Sequence, residues 1–285
     1  MDSKNKFLLN INHHENLITP GLVIFPEIIT GNIKKMIKIA GSSERLWPHV
    51  KTHKLSQIID IQKKFGIKKF KCATICESEM LAAAGVEKIL LAIQPSKINL
   101  KHFIELKLSY PKIEFSTIVD NFESLKIMSD LTDKNRTTLS LWLDVNNGMN
   151  RTGINDSKTA LDLIKKIKSN DNFYFKGLHI YDGHLRNPDF KIRKKECDNA
   201  YKFVNELIEC SNRYGFKVHD IITGGSPTFN IHSMREGNYL SPGTTLLWDI
   251  GYKKLFPEMD FEISAILVSR VISKPNENIL CLDLG

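Results

Sequence analysis

Trp47-Pro48-His49-Val50-Lys51-Thr52-His53-Lys54 sets two imidazoles and two lysines beside a proline and two β-branched residues. Pro48 disfavours helix at its own position and at the residue before it. Val50 and Thr52 are β-branched and favour extended backbone. The segment therefore reads as a short strand running into a loop, with His49, Lys51 and His53 on one face because alternate strand residues share a face. On an outer surface that face is simply solvated. Inside a barrel, Lys51 loses part of its water, its pKa falls, and its amine becomes a usable nucleophile.

Working outward from this strand, the chain alternates. Helix 55–65 leads to strand Lys69 to Ala73, helix 77–85 to strand Lys88 to Ala92, and helix 98–109 to strand Glu114 to Val119. Helix 121–131 leads to strand Leu139 to Val145, helix 157–168 to strand Phe175 to Ile180, and a long helix near 190–214 to strand Asp220 to Thr223. Asn238 to Ser241 closes the series as an eighth extended piece. Short apolar strands alternating with helices imply βαβ units and a parallel sheet. Eight units in about 195 residues predict an α/β fold, a TIM-type (β/α)8 barrel on the compact side. A doubly wound open sheet is the alternative, but no GxGxxG follows the first strand, against a dinucleotide-binding version.

The ends break the pattern. Residues 17–29, apolar and interrupted by Pro20 and Pro26, read as an extended lead-in before a helix over 32–40 that stops at Gly41. Glu262 to Ile272 reads as one β-strand, 274–278 as a turn, and Ile279 to Leu284 as a second strand. The expected division is an N-terminal segment 1–30, a barrel 31–258 and an incomplete C-terminal β domain 259–285, which the N-terminal segment joins.

Bulk properties narrow the function classes. A formal charge of +8 arises from 40 basic and 32 acidic residues, but the lysines are scattered through amphipathic segments. There is no arginine-rich arm or zinc-finger spacing, so a nucleic-acid partner is not expected. A basic surface steers anionic small molecules. The five cysteines form no CxxC and no disulfide framework. No stretch is long and apolar enough to span a membrane, and residues 1–10 contain no secretory leader pattern. A cytoplasmic protein without membrane partners is expected.

In a barrel of this kind the active site lies at the C-terminal strand ends, and phosphate is often held after strands 7 and 8. Those ends are Thr223-Gly224-Gly225-Ser226-Pro227-Thr228 and Ser241-Pro242-Gly243-Thr244-Thr245. Both offer glycine N–H groups with hydroxyls beside them, as an anion cradle requires. Strand 5 ends in a loop carrying Arg151, and strand 6 in His179-Ile180-Tyr181-Asp182-Gly183-His184. A lysine at one strand end facing a phosphate cradle points to a phosphorylated carbonyl cofactor held as a Schiff base. Pyridoxal 5'-phosphate (PLP), an electron sink for carbanions, is the leading candidate. A sugar-phosphate enzyme is the rival.

Pro48-His49-Val50-Lys51-Thr52-His53-Lys54 resembles the PLP-lysine motif of fold-type III enzymes of the D-threonine aldolase and D-serine dehydratase group, which share a barrel with alanine racemase. Asn150-Arg151-Thr152-Gly153, the segment from Gly177 to His184, Thr223 to Thr228 and Ser241 to Thr244 match in order, so the resemblance spans residues 17–285. It implies that Lys51 holds PLP and acts as a base, that Arg151 approaches the phenolic side of the ring, and that Tyr181 contacts the ring. It further implies that Gly224, Gly225, Ser226, Gly243 and Thr244 bind phosphate. The implied activity is a lyase acting on small D-β-hydroxy amino acids, cleaving D-threonine-like substrates to glycine and an aldehyde. His53 and His184 are the candidates for taking the β-hydroxyl proton. β-Elimination of the D-serine dehydratase type and a non-catalytic PLP-binding barrel are the alternatives.

Two departures from the family pattern stand out. Racemases carry an arginine where this chain has Ser241, which cannot supply that charge to the pyridine nitrogen. Relatives also bind a divalent metal such as Mn²⁺ through a His-x-Asp or His-x-Cys pair in the C-terminal β domain. The sequence contains no such pair, so no metal ligand is assigned. A homodimer is the expected assembly of a chain with the complete domain.

Overall fold

The computed structural model describes residues 14–284. The central sheet is parallel and seven-stranded. Its strands are β2 (Lys69–Cys72), β3 (Lys88–Leu91), β4 (Glu114–Val119), β5 (Leu139–Val145), β6 (Phe173–Ile180), β7 (Asp220–Thr223) and β8 (Asn238–Leu240), in that spatial order. Helices α2 (Ser56–Lys64), α3 (Ile75–Ala83), α4 (Lys97–Ser109), α5 (Phe122–Asn135), α6 (Ser157–Lys168) and α7 (Phe190–Arg213) make the crossovers. Side-chain caps from Thr74, Ser96, Asn121, Asp156 and Asp189 start α3 to α7, each satisfying an N–H that the first turn leaves open.

The strand before α2 is a correction. Leu46–His49 is extended and closes the barrel with single bridges, Leu46 to Leu240 of β8 and His49 to Lys71 of β2. Trp47 N and His49 N donate to Leu240 O and Pro242 O at 2.8 and 2.9 Å, and Pro48 O accepts from Lys71 N at 2.9 Å. Pro48 has no N–H of its own to extend the ladder. Beyond His49 the chain turns: Val50–Thr52 is a 3-10 turn capped by His49 Nδ1, which accepts from Lys51 N at 3.3 Å. Lys51 thus stands on a turn at the barrel mouth, and the expected single face shared by His49, Lys51 and His53 does not form.

The strands have two apolar faces, as a barrel requires. Phe70, Cys72, Ile89, Leu91, Leu141, Leu143, Leu178 and Ile180 pack under the helices. The residues between them turn inward, where Trp47, Leu90, Ile118, Trp142 and Ile222 form a separate plug. The Trp47 and Trp142 rings meet edge to face at 6.0 Å. One layer nearer the C-terminal strand ends, the inward residues become polar.

The lead-in is shorter than expected. Only β1 (Gly21–Ile24) is a strand, and helix α1 (Pro26–Ala40) begins at Pro26, because proline at the first helical position lacks only an N–H that has no partner there. Ile29, Ile33, Met36 and Ala40 are the buried apolar stripe of α1. β1 pairs antiparallel with β9 (Ala265–Val268). The expected continuous strand 262–272 is interrupted after Val268. β10 (Val271–Asn276) then runs through most of the expected turn and pairs with β11 (Ile279–Leu282). Two short helices, α8 (Phe229–His232) and α9 (Ile250–Leu255), complete the fold. Among the described residues no helix is long and apolar enough to cross a membrane.

Candidate active site

A cavity of about 280 Å³ opens at the C-terminal strand ends, near the lower limit for small-ligand pockets. His49 lines it from the closing segment and Lys51 from the turn after it, Lys71 from β2 with Ala73 just beyond, Asp144 and Val145 from β5, Arg151 from the following loop, and His179 from β6 with Tyr181 just beyond. Lys51 and Arg151 therefore share one cavity with Tyr181. The strand-5 loop aims Arg151 by folding back on itself: Asn146 N donates to Ile154 O at 2.9 Å, and Ile154 N to Asp144 O at 3.0 Å. Gly153 is required in that fold, at φ +96° with Asn146 N only 2.5 Å from where a β-carbon would sit.

Three cations surround the Tyr181 ring. Lys51 Nζ, Lys71 Nζ and the Arg151 guanidinium carbon lie 5.4, 5.8 and 5.2 Å from its centroid. Among the described residues none of the three has a carboxylate within ion-pair distance. Burial and the charge of Arg151 lower the Lys51 pKa, against the pull of Glu77. Burial raises the Tyr181 hydroxyl. Crowded cations without counter-charges form an anion receptor.

The two glycine loops stand directly behind this group. A β-carbon on Gly225 would come within 2.9 Å of the Tyr181 ring, and one on Gly183 within 2.1 Å of the Tyr181 hydroxyl, so the ring lies against bare backbone. Gly243 packs likewise on His49, with Cβ of His49 3.3 Å from the corresponding position. Ser226 Oγ joins the loops, accepting from Gly243 N at 3.1 Å and Thr244 N at 2.9 Å. These donors share one acceptor, the arrangement that a phosphate oxygen would take over.

Lys71 escaped the sequence reading, which placed Asp144 and His179 at polar strand ends but gave them no role. Lys71 is 3% exposed, and burial with the charge of Lys51 brings its pKa down to about 7 against the pull of Asp144 and Asp182. His179 Nδ1 is 2.6 Å from Asp144 Oδ1, which fixes the Nδ1–H tautomer. Its Nε2 is buried and has no hydrogen-bond partner. Burial and Lys71 lower the His179 pKa, leaving a neutral ring with an open lone pair in the cavity. His49 is held well below its ordinary value by burial and the same lysines.

The two histidines expected to take a proton do not line the cavity. His53 Nδ1 accepts from Leu55 N at 3.1 Å, and burial lowers its pKa to about 4. His184 is exposed and packs over Gly148. Asp182, adjacent to Tyr181, turns away from the cavity. It accepts from Thr228 Oγ1 at 2.6 Å and pairs with His232 Nε2 at 2.6 Å. Burial would raise the Asp182 pKa, but these two partners bring it below its ordinary value. This pair braces the Gly224–Thr228 loop from below.

The family model for the alanine racemase N-terminal domain matches residues 26–249. The chain belongs to this family. Within the alanine racemase N-terminal domain family, it is 23% identical over 284 residues to 3-hydroxy-D-aspartate aldolase of Paracoccus denitrificans, covering 94% of this chain and 72% of that protein. It is 25% identical over 276 residues to D-threonine aldolase of an Arthrobacter species, covering 94% and 71%. Its fold superposes on the crystal structure of D-threonine aldolase from Filomicrobium marinum with a TM-score of 0.84 at 24% identity, over 94% of this chain and 74% of that one.

Proposed function

We propose that this chain is a PLP-dependent lyase of D-β-hydroxy amino acids that cleaves the Cα–Cβ bond of D-threonine-like substrates. The observation behind this reading is the gathering of Lys51, Arg151 and the buried Lys71 around Tyr181 with no carboxylate at ion-pair distance among the described residues, backed by two glycine loops at the phosphate end of the barrel. The names of the aldolase relatives point the same way. The pairing of β1 with β9 supports grouping the described part of 1–30 with 259–285, beside a barrel at 31–258.

The residues fit PLP. Lys51 offers an amine at the mouth, Arg151 a guanidinium beside the ring position, and Gly224, Gly225, Ser226, Gly243 and Thr244 the phosphate cradle. When bound, PLP supplies an electron sink for the carbanion left by bond cleavage. Tyr181 lies against Gly225 and closes the cavity wall. His179, oriented by Asp144, accepts the proton of the substrate β-hydroxyl at Nε2; it takes this role from His53 and His184. Ser241 donates its hydroxyl to Trp47 O at 3.1 Å and would offer no charge to the ring nitrogen of bound PLP.

Among the described residues no ligand set matches the divalent metal that the resemblance implies. The one group of close ligand atoms among the described residues is Asp182, Cys197 and His232. All three are buried, and burial pushes the Cys197 thiol up to about 12. Arg235 Nη2 lies 3.9 Å from its sulfur. The group is also outside the cavity lining.

Borohydride reduction of PLP-loaded protein followed by peptide mass spectrometry tests the cofactor assignment, with label expected on Lys51. Incubation with D-threonine should release glycine and an aldehyde, with no release from L-threonine. Release of ammonia and a 2-oxo acid instead would establish elimination. Protein that takes up PLP but yields neither product set is a carrier. An unlabelled Lys51 refutes the cofactor reading.

A further inference from the structure

Two lysines, not one, line the cavity. Lys71 occupies the next-to-last position of β2, where its N–H donates to Pro48 O, so its backbone is fixed. Its side chain is almost wholly buried, yet among the described residues it makes no hydrogen bond or ion pair. Lys69, two residues earlier on the same strand, is different: its Nζ donates to Glu44 O at 2.7 Å and stacks on Tyr239 at 4.6 Å. The freedom of Lys71 therefore belongs to its place in the cavity and not to the strand. A buried ammonium without a partner is costly, and the state that avoids the cost is the free amine. The charges that act on it are Lys51 and Arg151, which disfavour its ammonium, and Asp144 and Asp182, which favour it.

We propose that Lys71 is a second carbonyl-reactive amine of this site, which condenses with an anionic aldehyde held in the cavity when Lys51 is absent or occupied. The inference rests on the reading that the cavity receives such aldehydes, PLP first among them. The Lys71 lone pair attacks the carbonyl carbon and forms the C–N bond. Both amine hydrogens leave with the carbonyl oxygen as water, giving a C=N bond. His179 Nε2, open in the same cavity, can carry the proton from nitrogen to the departing oxygen. Arg151, in the same cavity lining, holds the anionic end.

With its pKa brought down to about 7, the Lys71 amine is far more available at neutral pH than an ordinary lysine near pKa 10.4, of which about one part in 2,500 is unprotonated. That margin gives Lys71 an advantage over surface lysines despite its enclosure.

The test is covalent trapping on the full chain. Native protein and Lys51→Ala protein are incubated with PLP, reduced with borohydride and mapped by peptide mass spectrometry. The expected label is on Lys51 in the native chain and on Lys71 in Lys51→Ala, with none in the Lys51→Ala/Lys71→Met double variant. In parallel, native protein with Lys51 blocked by reduced PLP is treated with glyoxylate and cyanoborohydride at pH 7. Lys71 should be carboxymethylated at least tenfold faster than the exposed lysines. This arm requires no substitution and decides the matter if Lys51→Ala does not fold. Label on native Lys51, with Lys71 unlabelled in Lys51→Ala and no faster than the surface with glyoxylate, overturns the proposal and leaves the cofactor reading standing. Absence of label from native Lys51 strikes the cofactor reading instead.

Discussion

Replacing Lys71 with methionine should stabilise the ligand-free protein, and by an amount that depends on pH. Lys71 is fully enclosed, and its pKa falls from 10.5 to about 7. The unfolded chain therefore binds a proton between these values that the folded chain does not, and stability rises with pH across that window. Below pH 7 both states are protonated and the full penalty is present; above about pH 10.5 neither is and it vanishes. At about 1.4 kcal/mol per pH unit the gap bounds the penalty at about 5 kcal/mol. Relaxation of the cavity reduces this, so about 2–4 kcal/mol is the expected gain of Lys71→Met at pH 7. Methionine matches the lysine stem in length, and its flexible thioether fills irregular space. Urea titrations of both proteins at pH 6, 7, 8 and 9 should give a difference that is flat from 6 to 7 and then shrinks. A Lys71→Met protein less stable than the native one at pH 7, or a difference independent of pH, refutes the reasoning: Lys71 would then be a charged, compensated group.

Other outcomes follow from single contacts. Gly225→Ala keeps an ordinary extended backbone but drives a β-carbon to 2.9 Å from the Tyr181 ring. It should weaken PLP binding about tenfold, or 1.4 kcal/mol, measured by fluorescence titration. Asp182→Asn removes the charge that His232 and Thr228 share in the interior and should cost about 3–5 kcal/mol in urea unfolding. Gly177→Ala, at φ +144° with Asp220 O 1.9 Å from the new carbon, should prevent the β6–β7 pairing, read as loss of soluble folded protein. His179→Gln should lower kcat for D-threonine cleavage by about 10²-fold or more with little change in KM, and cost more than His53→Gln. The reverse order would remove His179 from its assigned role.

The barrel was legible because most of its strands are short apolar runs between helices with clear caps; β4, β5 and α6 fall on the residues where periodicity puts them. The segment around Lys51 was less so. Pro48 and two β-branched residues favour extension locally, but His49 uses its own ring to cap a turn, an interaction that no propensity records. Lys71, and the roles of Asp144 and His179, were missed for a different reason. Lys69-Phe70-Lys71-Cys72 reads by itself as a strand with a solvated lysine face. Only closure of the sheet converts that face into an interior, where inward positions carry apolar side chains in one layer and polar ones in the next. The signal was present in Leu139 to Val145, where Ser140, Trp142 and Asp144 alternate with leucine and valine, in a strand buried on both sides.

The closing segment Leu46–His49 has a mechanical consequence. Every other neighbouring pair around the barrel shares a ladder of three or more residue pairs, whereas this stave is attached by one bridge on each side. Lys51 stands on the loosest stave, and the glycine loops belong to the two staves across the gap. A molecule bonded to Lys51 at one end and gripped by Gly224–Ser226 and Gly243–Thr244 at the other is a clasp over that seam. Loading the site then tightens the cylinder itself, and amide exchange at Trp47, His49 and Lys71 should slow far more than at β4 or β5.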